Sequence, residues 1–187
     1  MADANYIDKV NIGGVEYFLS DPSIQEKVAN KLDLTGGTLT GPLVATEITA
    51  DKIYGAVWND YAEWFEKEDA KDSFEPGDIC SWGQDGIVLS QKDDDNVVGV
   101  VSNTYGLILG GYPLDSMKNN ETDFVPIGLI GRVNVKVMGP VKIGDLIVSA
   151  GNGIGKVNNQ ASIQQIVGKA LQSSSDEQIK LITVLIK

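Results

Sequence analysis

Few side chains in this sequence are suited to covalent or metal chemistry. The chain has no histidine, which excludes the Ser-His and Cys-His pairs that activate nucleophiles and every metal site built on imidazole. Its single cysteine, Cys80, excludes an intrachain disulfide and a cysteine-based zinc site. We therefore expect no metal site and no cofactor, and we do not expect an enzyme.

The segment best equipped for chemistry is AVWNDYAEWFE, which occupies residues 56–66. It contains Asn59, followed four residues later by Glu63. Positions 54–62 contain no serine, threonine or cysteine, so a hydroxyl or thiol nucleophile is missing there, and no histidine is available as its base. Cleavage of the Asn59–Asp60 bond through cyclisation of the asparagine is a further, weaker alternative.

Aromatic residues are concentrated in and around this segment. They are Tyr54, Trp58, Tyr61, Trp64, Phe65, Phe74 and Trp82. Flat ring faces suit the stacking of pyranose rings, which gives one interpretation, a glycan-binding platform. We favour the other interpretation, in which the spacings of three and four residues between Trp58, Tyr61 and Phe65 create one apolar packing face.

The Gly-rich segment KLDLTGGTLTGPL, residues 31–43, lacks the residues for a helix or for a core of its own. Its helix-breaking positions are Gly36, Gly37, Gly41 and Pro42. Such a segment either stays disordered or is held by neighbouring copies of itself. We predict an intertwined fibre connector over residues 33–50.

Residues 1–32 are predicted to attach the chain to its assembly or to start a trimer. Two short strands flank the turn Gly13-Gly14. A helix is predicted from Pro22 to about Leu32, with Asp21 as its N-cap. About eleven residues are too few for a helix to be stable alone in water. The helix is expected to pack against identical copies, with packing on its own β domain as the alternative.

Residues 51–187 read as an all-β head domain, a barrel or a sandwich. Closely spaced turn signals, including Asp93-Asp94-Asp95 as a solvated turn, separate short β-branched runs. These runs are residues 97–101, 133–137 and 181–186, and a further strand is predicted over residues 45–54. The order Gly-Asp, Gly-Ile, Val-Gly occurs twice, from Gly77 and from Gly144, which predicts a duplicated strand unit.

The overall charge excludes several classes of partner. The net charge is −11 and the pI is near 4.3, which disfavours sequence-independent binding to nucleic acid and docking to anionic membranes. No basic and apolar leader and no apolar run of about 18 residues is visible, so we expect synthesis in a cytoplasm and no membrane insertion.

Five motifs occur in a fixed order over residues 51–187: DYAEWFE, EPGDI, GVVS, PIGLIGRVNVKV and GD. In this order they resemble the C-terminal intramolecular-chaperone and autoprocessing domain of phage tail-fibre and neck-appendage proteins. The segment LTGGTLTGPL likewise resembles connectors that recur in phage tail fibres and tail spikes. The resemblance implies a domain that helps three chains find their register and, in some members, then cuts itself off.

Self-cleavage in such domains, as the resemblance implies, uses a serine hydroxyl that attacks its neighbouring peptide carbonyl, with an acidic residue nearby. Glu63 lies in the matching motif, but Asn59 occupies the expected place of the nucleophile. Asn59 and Glu63 are therefore the catalytic residues if self-cleavage occurs, and we expect the chain to stay intact.

The resulting functional hypothesis is a homotrimeric structural appendage of a phage virion, a short head, neck or tail fibre that contacts the host surface. The alternatives are a self-cleaving trimerisation chaperone and a glycan-binding module. Expected partners are other copies of the chain, other virion proteins through the N-terminus, and a host cell-surface glycan or protein. The longest irregular stretch of the head is predicted at residues 103–123, where Tyr105 and Tyr112 are receptor-contact candidates unless the loop covers a trimer seam.

Overall fold

The computed structural model describes residues 9–18, 37–41, 43, 45, 47–51, 59–110 and 120–186. Contacts divide the chain into two compact units, residues 1–52 and residues 53–187, which are described separately below. Within the described ranges, no helix is long and apolar enough to cross a membrane.

The described strands of the first unit form a hairpin. β1 (Lys9–Ile12) pairs antiparallel with β2 (Val15–Phe18), and the turn between them has φ values of +65° at Gly13 and +86° at Gly14. Positive φ at both central residues is typical of a type I′ turn, which glycine adopts without strain. The hairpin predicted from the Gly-Gly pair is confirmed.

Part of the predicted connector lies among the described residues. Gly37 and Gly41 belong to residues 37–41, which are exposed and contain neither helix nor strand. Gly36 and Pro42 lie outside the described residues. The intertwining of this segment with other copies stays a prediction.

The remaining predictions for the first unit have different outcomes. The helix predicted from Pro22 to about Leu32 lies outside the described residues. The strand predicted over residues 45–54 is wrong for residues 47–51, which are exposed and unpaired. Alternating polar and apolar residues form a strand only where another strand supplies the hydrogen bonds.

The second unit is all-β, as predicted. The strands among its described residues are β3 (Asp60–Glu66), β4 (Ile79–Trp82), β5 (Ile87–Leu89), β6 (Val97–Val101), β7 (Leu107–Gly110), β8 (Phe124–Val137), β9 (Leu146–Gly151), β10 (Ile154–Val157), β11 (Ile166–Ala170) and β12 (Lys180–Ile186). One short helix, α1 (Asn120–Asp123), precedes β8, and a turn of 3-10 helix, Ile163–Gln165, precedes β11.

These strands form a barrel with an extension. The sheet order is β10-β9-β11-β12-β8-β6-β4-β5, and β10 also pairs in parallel with β8 at Gly155 and Val137. This last pairing closes β8 to β12 into a barrel. The first half of β8 pairs with β6 and, on its other edge, with β3, which in turn pairs in parallel with β7.

The duplication predicted from the sequence is present in the strand pairing. β4 lies between β5 and β6, and β9 lies between β10 and β11 in the same way. The register repeats as well, since Cys80 faces Gly99 in the first copy and Ile147 faces Gly168 in the second.

A Gly-Asp turn opens each copy with the same geometry. The φ angle is +95° at Gly77 and +94° at Gly144. The carboxylates of Asp78 and Asp145 each accept a hydrogen bond at 2.8 Å from the backbone N–H three residues earlier. These bonds are local, which explains why the repeat is visible in the sequence.

Two clusters of buried apolar side chains fill the second unit. The first occupies the barrel and includes Ile79, Val135, Val137, Ile147, Ile182 and Val184. The second lies beneath β3 and the first half of β8 and consists of Cys80, Ile87, Val101, Val125 and Ile127. Burial raises the pKa of the Cys80 thiol, so this cysteine is a packing residue and not a nucleophile.

The predicted irregular stretch at residues 103–123 is wrong in its extent, because it contains β7 and α1. The apolar run Leu107-Ile108-Leu109 is too short to mark a strand by itself. It becomes one because β3 pairs with it across parallel hydrogen bonds.

Candidate functional site

Asn59, which directly precedes β3, is held at both its side chain and its carbonyl group. Its Nδ2 donates a hydrogen bond to the Thr104 carbonyl at 2.9 Å, and its carbonyl accepts one from the Arg132 N–H at 2.8 Å. Cyclisation requires Nδ2 to attack the carbonyl carbon of Asn59 itself. The contact with Thr104 must break before this attack can occur.

Asp60 is a buried carboxylate beside the same peptide bond, with 6% of its surface exposed. Its Oδ1 accepts a hydrogen bond from the Ser102 hydroxyl at 3.0 Å, while its Oδ2 has no partner among the described residues. Burial raises the pKa of the Asp60 carboxyl, and the hydrogen bond from Ser102 opposes this shift in part. The site therefore holds a group that resists ionisation.

Close backbone approaches fix the geometry around the Asn59–Asp60 bond. The Gly106 N–H donates to the Asp60 carbonyl at 2.9 Å. On the opposite side lies Gly131, with a φ of +118°, where a Cβ atom would lie 2.5 Å from the Asn59 carbonyl oxygen. Only glycine at position 131 lets β8 approach this bond so closely.

Ser102 brings a hydroxyl to a segment that lacks one. Positions 54–62 contain no serine or threonine. The loop after β6 nevertheless places the Ser102 hydroxyl within hydrogen-bond distance of Asp60. Ser102 Oγ also accepts a hydrogen bond from the Thr104 N–H at 3.2 Å. Sequence reasoning missed Asp60 and Ser102 as a pair, because nothing in their local sequences links residues 42 positions apart.

Glu63 lies further along β3 than the Asn59–Asp60 bond. It lies three residues beyond Asp60 on β3, a rise of about 10 Å along an extended strand. Its neighbours across the sheet are Leu109 on β7 and Ile127 on β8. The structure therefore does not bring Glu63 and Asn59 together within one chain.

A surface formed by β3, β7 and β8 is apolar and exposed. Tyr61 is aligned with Leu107 on one side and Ile130 on the other, so these side chains share a face of the sheet. The exposed fractions are 56% at Leu107, 46% at Leu109 and 60% at Ile130. We call Tyr61, Leu107, Leu109 and Ile130 the outer β3 face.

The aromatic residues singled out from the sequence go to different places. Phe65 packs on the second core cluster and meets Trp82 edge to face, with ring centroids 6.2 Å apart. Helical spacing does not apply to Tyr61 and Phe65, because both lie on a strand. Tyr61 is aligned with the exposed Ile130 and Phe65 with the buried Val125, and the register shifts between Tyr61 and Ala62. Tyr54 and Trp58 lie outside the described residues.

A cavity of about 420 Å³ lies between β3, the turn before β4, the loop after β6 and the start of β8. Four partly exposed rings line it, and we call this set the aromatic cleft: Trp64, Phe74, Tyr105 and Phe124. The structure thus places the receptor-contact candidate Tyr105 beside two of the predicted aromatics. Tyr112 lies outside the described residues.

Comparisons with known proteins address the segment that contains Asn59 and Glu63. Residues 38–115 match the family model described as Peptidase_G2, the IMC autoproteolytic cleavage domain. This match covers less than half of the chain. No curated protein matches it significantly.

Two solved structures share the fold. The C-terminal fragment of bacteriophage phi29 gene product 12 is 17% identical with a TM-score of 0.52, over 68% of this chain and 100% of that one. The pre-mature form of phi29 gene product 12 is 17% identical with a TM-score of 0.55, over 80% of this chain and 24% of that one. Together with the family match, they confirm the resemblance to the intramolecular-chaperone domain of phage appendages.

Proposed function

We propose that this chain is a homotrimeric structural appendage of a phage virion whose head domain acts as a trimerisation chaperone. The family match over residues 38–115 and the fold shared with phi29 gene product 12 support this proposal. In the same proposal, residues 1–32 attach the chain to other virion proteins, residues 33–50 are the intertwined connector, and residues 51–187 contact the host.

The observation that carries the trimer is the outer β3 face. Leu107, Leu109 and Ile130 are large apolar side chains on neighbouring strands, and in the single chain about half of each is exposed. Among the described strands, β7 pairs with β3 alone, so its other edge has no described partner strand. Association of copies covers both the apolar side chains and this edge.

Light scattering and paired substitutions test the interface. The wild-type chain should have the mass of three chains, and the double substitution of Leu107 and Ile130 by serine should yield monomers with unchanged circular dichroism. The matched control is Ile163→Ser, which changes a side chain that is 87% exposed on a different part of the domain and should leave the trimer intact. A wild-type monomer at micromolar concentration would overturn the proposal.

A second function, self-cleavage, is favoured by the description of the matching family. Against it stand Asn59 in the expected place of the serine and the engagement of its Nδ2 by Thr104. We therefore propose that the chain remains uncut.

Intact-mass spectrometry separates the two functions. The wild-type chain should keep its mass of 20.0 kDa on long incubation. If Asn59 is the only missing element, the hydroxyl introduced by Asn59→Ser should attack the carbonyl of residue 58 and, after hydrolysis of the resulting ester, yield a fragment that begins at residue 59. Adding Glu63→Ala should abolish this fragment. Cleavage of the wild-type chain would instead establish the self-processing function.

A further inference from the structure

A second group of exposed apolar side chains lies on the outside of the barrel. Leu181 lies on β12, Ile179 directly precedes this strand, and Met138 directly follows β8. About half of each of these three side chains is exposed. The exposed Leu171 lies beside them, because its N–H donates to a carbonyl of β12 at 2.8 Å. We call Met138, Leu171, Ile179 and Leu181 the outer β12 face.

The outer β12 face is separate from the outer β3 face, although β8 borders both. Ile130 lies on β8, and Leu181 is aligned with Lys136, six residues further along the same strand. Six residues of extended strand span about 20 Å. Asn134 and Thr183 lie between the two faces, and the Thr183 hydroxyl donates to Asn134 Oδ1 at 3.0 Å. The domain therefore carries two apolar surfaces with polar side chains between them.

A trimer requires two different surfaces on each chain. A surface that pairs with itself does so across a two-fold axis, and this contact is complete in a dimer. In a three-fold ring, each chain instead offers one surface to the copy on one side and a different surface to the copy on the other side. If the outer β3 face is one of these surfaces, the proposed trimer needs a second surface that is complementary to it.

The outer β12 face has the depressions that such a contact needs. Leu181 lines a cavity of about 270 Å³ together with Pro76 and Asn134. Ile179 lines another cavity, of about 520 Å³, together with Ile154. The outer β3 face presents side chains of leucine and isoleucine, which can enter these cavities. Close packing of apolar side chains is typical of the centre of a stable interface.

Charge favours contact between the two different faces. β3 contains three acidic residues and no basic residue, and Glu66 at its end is exposed. The exposed Lys169 is aligned with Leu185, which shares a face of β12 with Leu181. Copies of a chain with a net charge of −11 repel one another. Contact between an acidic strand and a surface that carries a lysine reduces this repulsion, whereas contact between two copies of β3 adds to it.

We propose that the outer β3 face of one copy packs on the outer β12 face of the next copy, and that three such contacts close the ring. The contact buries Leu107 and Ile130 of one chain against Ile179 and Leu181 of its neighbour. The inference rests on the trimer of the proposed function and deepens it by naming the second surface. Both faces consist of residues on paired strands or directly beside them, so chains recognise one another only after the head domain has folded.

A mixture of two variants tests this pairing. One variant carries Leu107→Ser with Ile130→Ser, and the other carries Ile179→Ser with Leu181→Ser. By light scattering, each variant alone should have the mass of one chain, with unchanged circular dichroism. An equimolar mixture should have the mass of two chains, because each variant keeps the face that the other needs and a third chain finds no complete face.

Chemical cross-linking tests the same contact with fewer changes to the surface. Ile130→Cys and Leu181→Cys are combined in one chain, and a short bis-maleimide is added to the assembled protein. These positions are about 20 Å apart within a chain, so a short cross-link joins neighbouring chains and should yield covalent trimers. The matched control, Ile130→Cys with Ile163→Cys, should yield single chains. Burial raises the pKa of the Cys80 thiol, so this native cysteine stays unreactive.

Three results would overturn the inference. The first is a trimer that persists when Ile179 and Leu181 are replaced by serine, and the second is a mixture of the two variants that stays monomeric. The third is cross-linking of chains that carry Ile130→Cys alone, which would show that the outer β3 face meets itself. In each case the wild-type chain remains a trimer, whereas failure of the proposed function appears as a wild-type monomer.

Discussion

The hydroxyl of Ser102 donates a hydrogen bond to Oδ1 of Asp60 at 3.0 Å. The other oxygen of this buried carboxylate, Oδ2, has no hydrogen-bond donor among the described residues. The hydrogen bond from Ser102 joins the residue after the Asn59–Asp60 bond to the loop that follows β6. A buried carboxylate with one unpaired oxygen is costly to keep ionised. Burial raises the pKa of the Asp60 carboxyl, and the hydrogen bond from Ser102 opposes this shift.

Asp60→Asn should raise the unfolding temperature at neutral pH. Because burial raises the pKa of Asp60 above its ordinary value of 3.8, the stability linked to this group is present below the unfolded pKa and is lost as pH rises through the folded pKa. Because asparagine does not ionise, the stability of the variant does not fall over this pH range through ionisation at position 60. Melting curves between about pH 3 and pH 8 should show a gap between the two proteins that opens with rising pH; a constant gap would contradict this account.

Ser102→Ala should destabilise the domain by about 1–3 kcal/mol at neutral pH, because the substitution leaves the buried Asp60 carboxylate without its described donor. The cost should be smaller in the Asp60→Asn background, where the remaining group carries no charge. Denaturant unfolding of the two single variants and the double variant measures this coupling. Strict additivity would show that the two side chains do not act together.

Gly131→Ala should cost more than Gly139→Ala. Both glycines have positive φ angles, +118° and +76°, so alanine is strained at either position. A Cβ at residue 131 would lie 2.5 Å from the Asn59 carbonyl oxygen, whereas a Cβ at residue 139 meets nothing within 4 Å. Denaturant unfolding should give about 1 kcal/mol for Gly139→Ala and a clearly larger value for Gly131→Ala; equal costs would remove the close approach as an explanation.

Lys136→Met should change the acid titration near the first Gly-Asp turn. Lys136 Nζ lies 2.6 Å from a carboxylate oxygen of Glu75 and 2.8 Å from one of Asp78. The hydrogen bond from Lys136 to Glu75, together with the positive charge of Lys136, lowers the pKa of the Glu75 carboxyl. Stability linked to Glu75 is therefore present above its unfolded pKa and is lost as pH falls through the folded pKa. A carboxyl NMR titration should show the Glu75 pKa return toward its ordinary value in the variant, and an unchanged curve would refute the assignment.

Features that depend on neighbours in the sequence could be predicted from the sequence. The hairpin turn at Gly13-Gly14 and the paired turns at Gly77 and Gly144 are confirmed, because positive φ angles and bonds across three residues are local properties. The absence of histidine excludes imidazole chemistry on composition alone. The strand predicted over residues 45–54 fails for residues 47–51 because alternation cannot supply a pairing partner.

Only the tertiary structure decided what surrounds Asn59 and where the aromatic rings meet. Ser102, 42 positions away in the sequence, donates a hydrogen bond to Asp60. Residues 107–110 form the strand β7 because β3 lies beside them and pairs with them. The same fold separates Glu63 from Asn59, although the sequence places them four residues apart, because an extended strand carries each residue about 3.3 Å further from the last. Contacts between distant positions depend on the path of the whole chain, and no local pattern of residue types records that path.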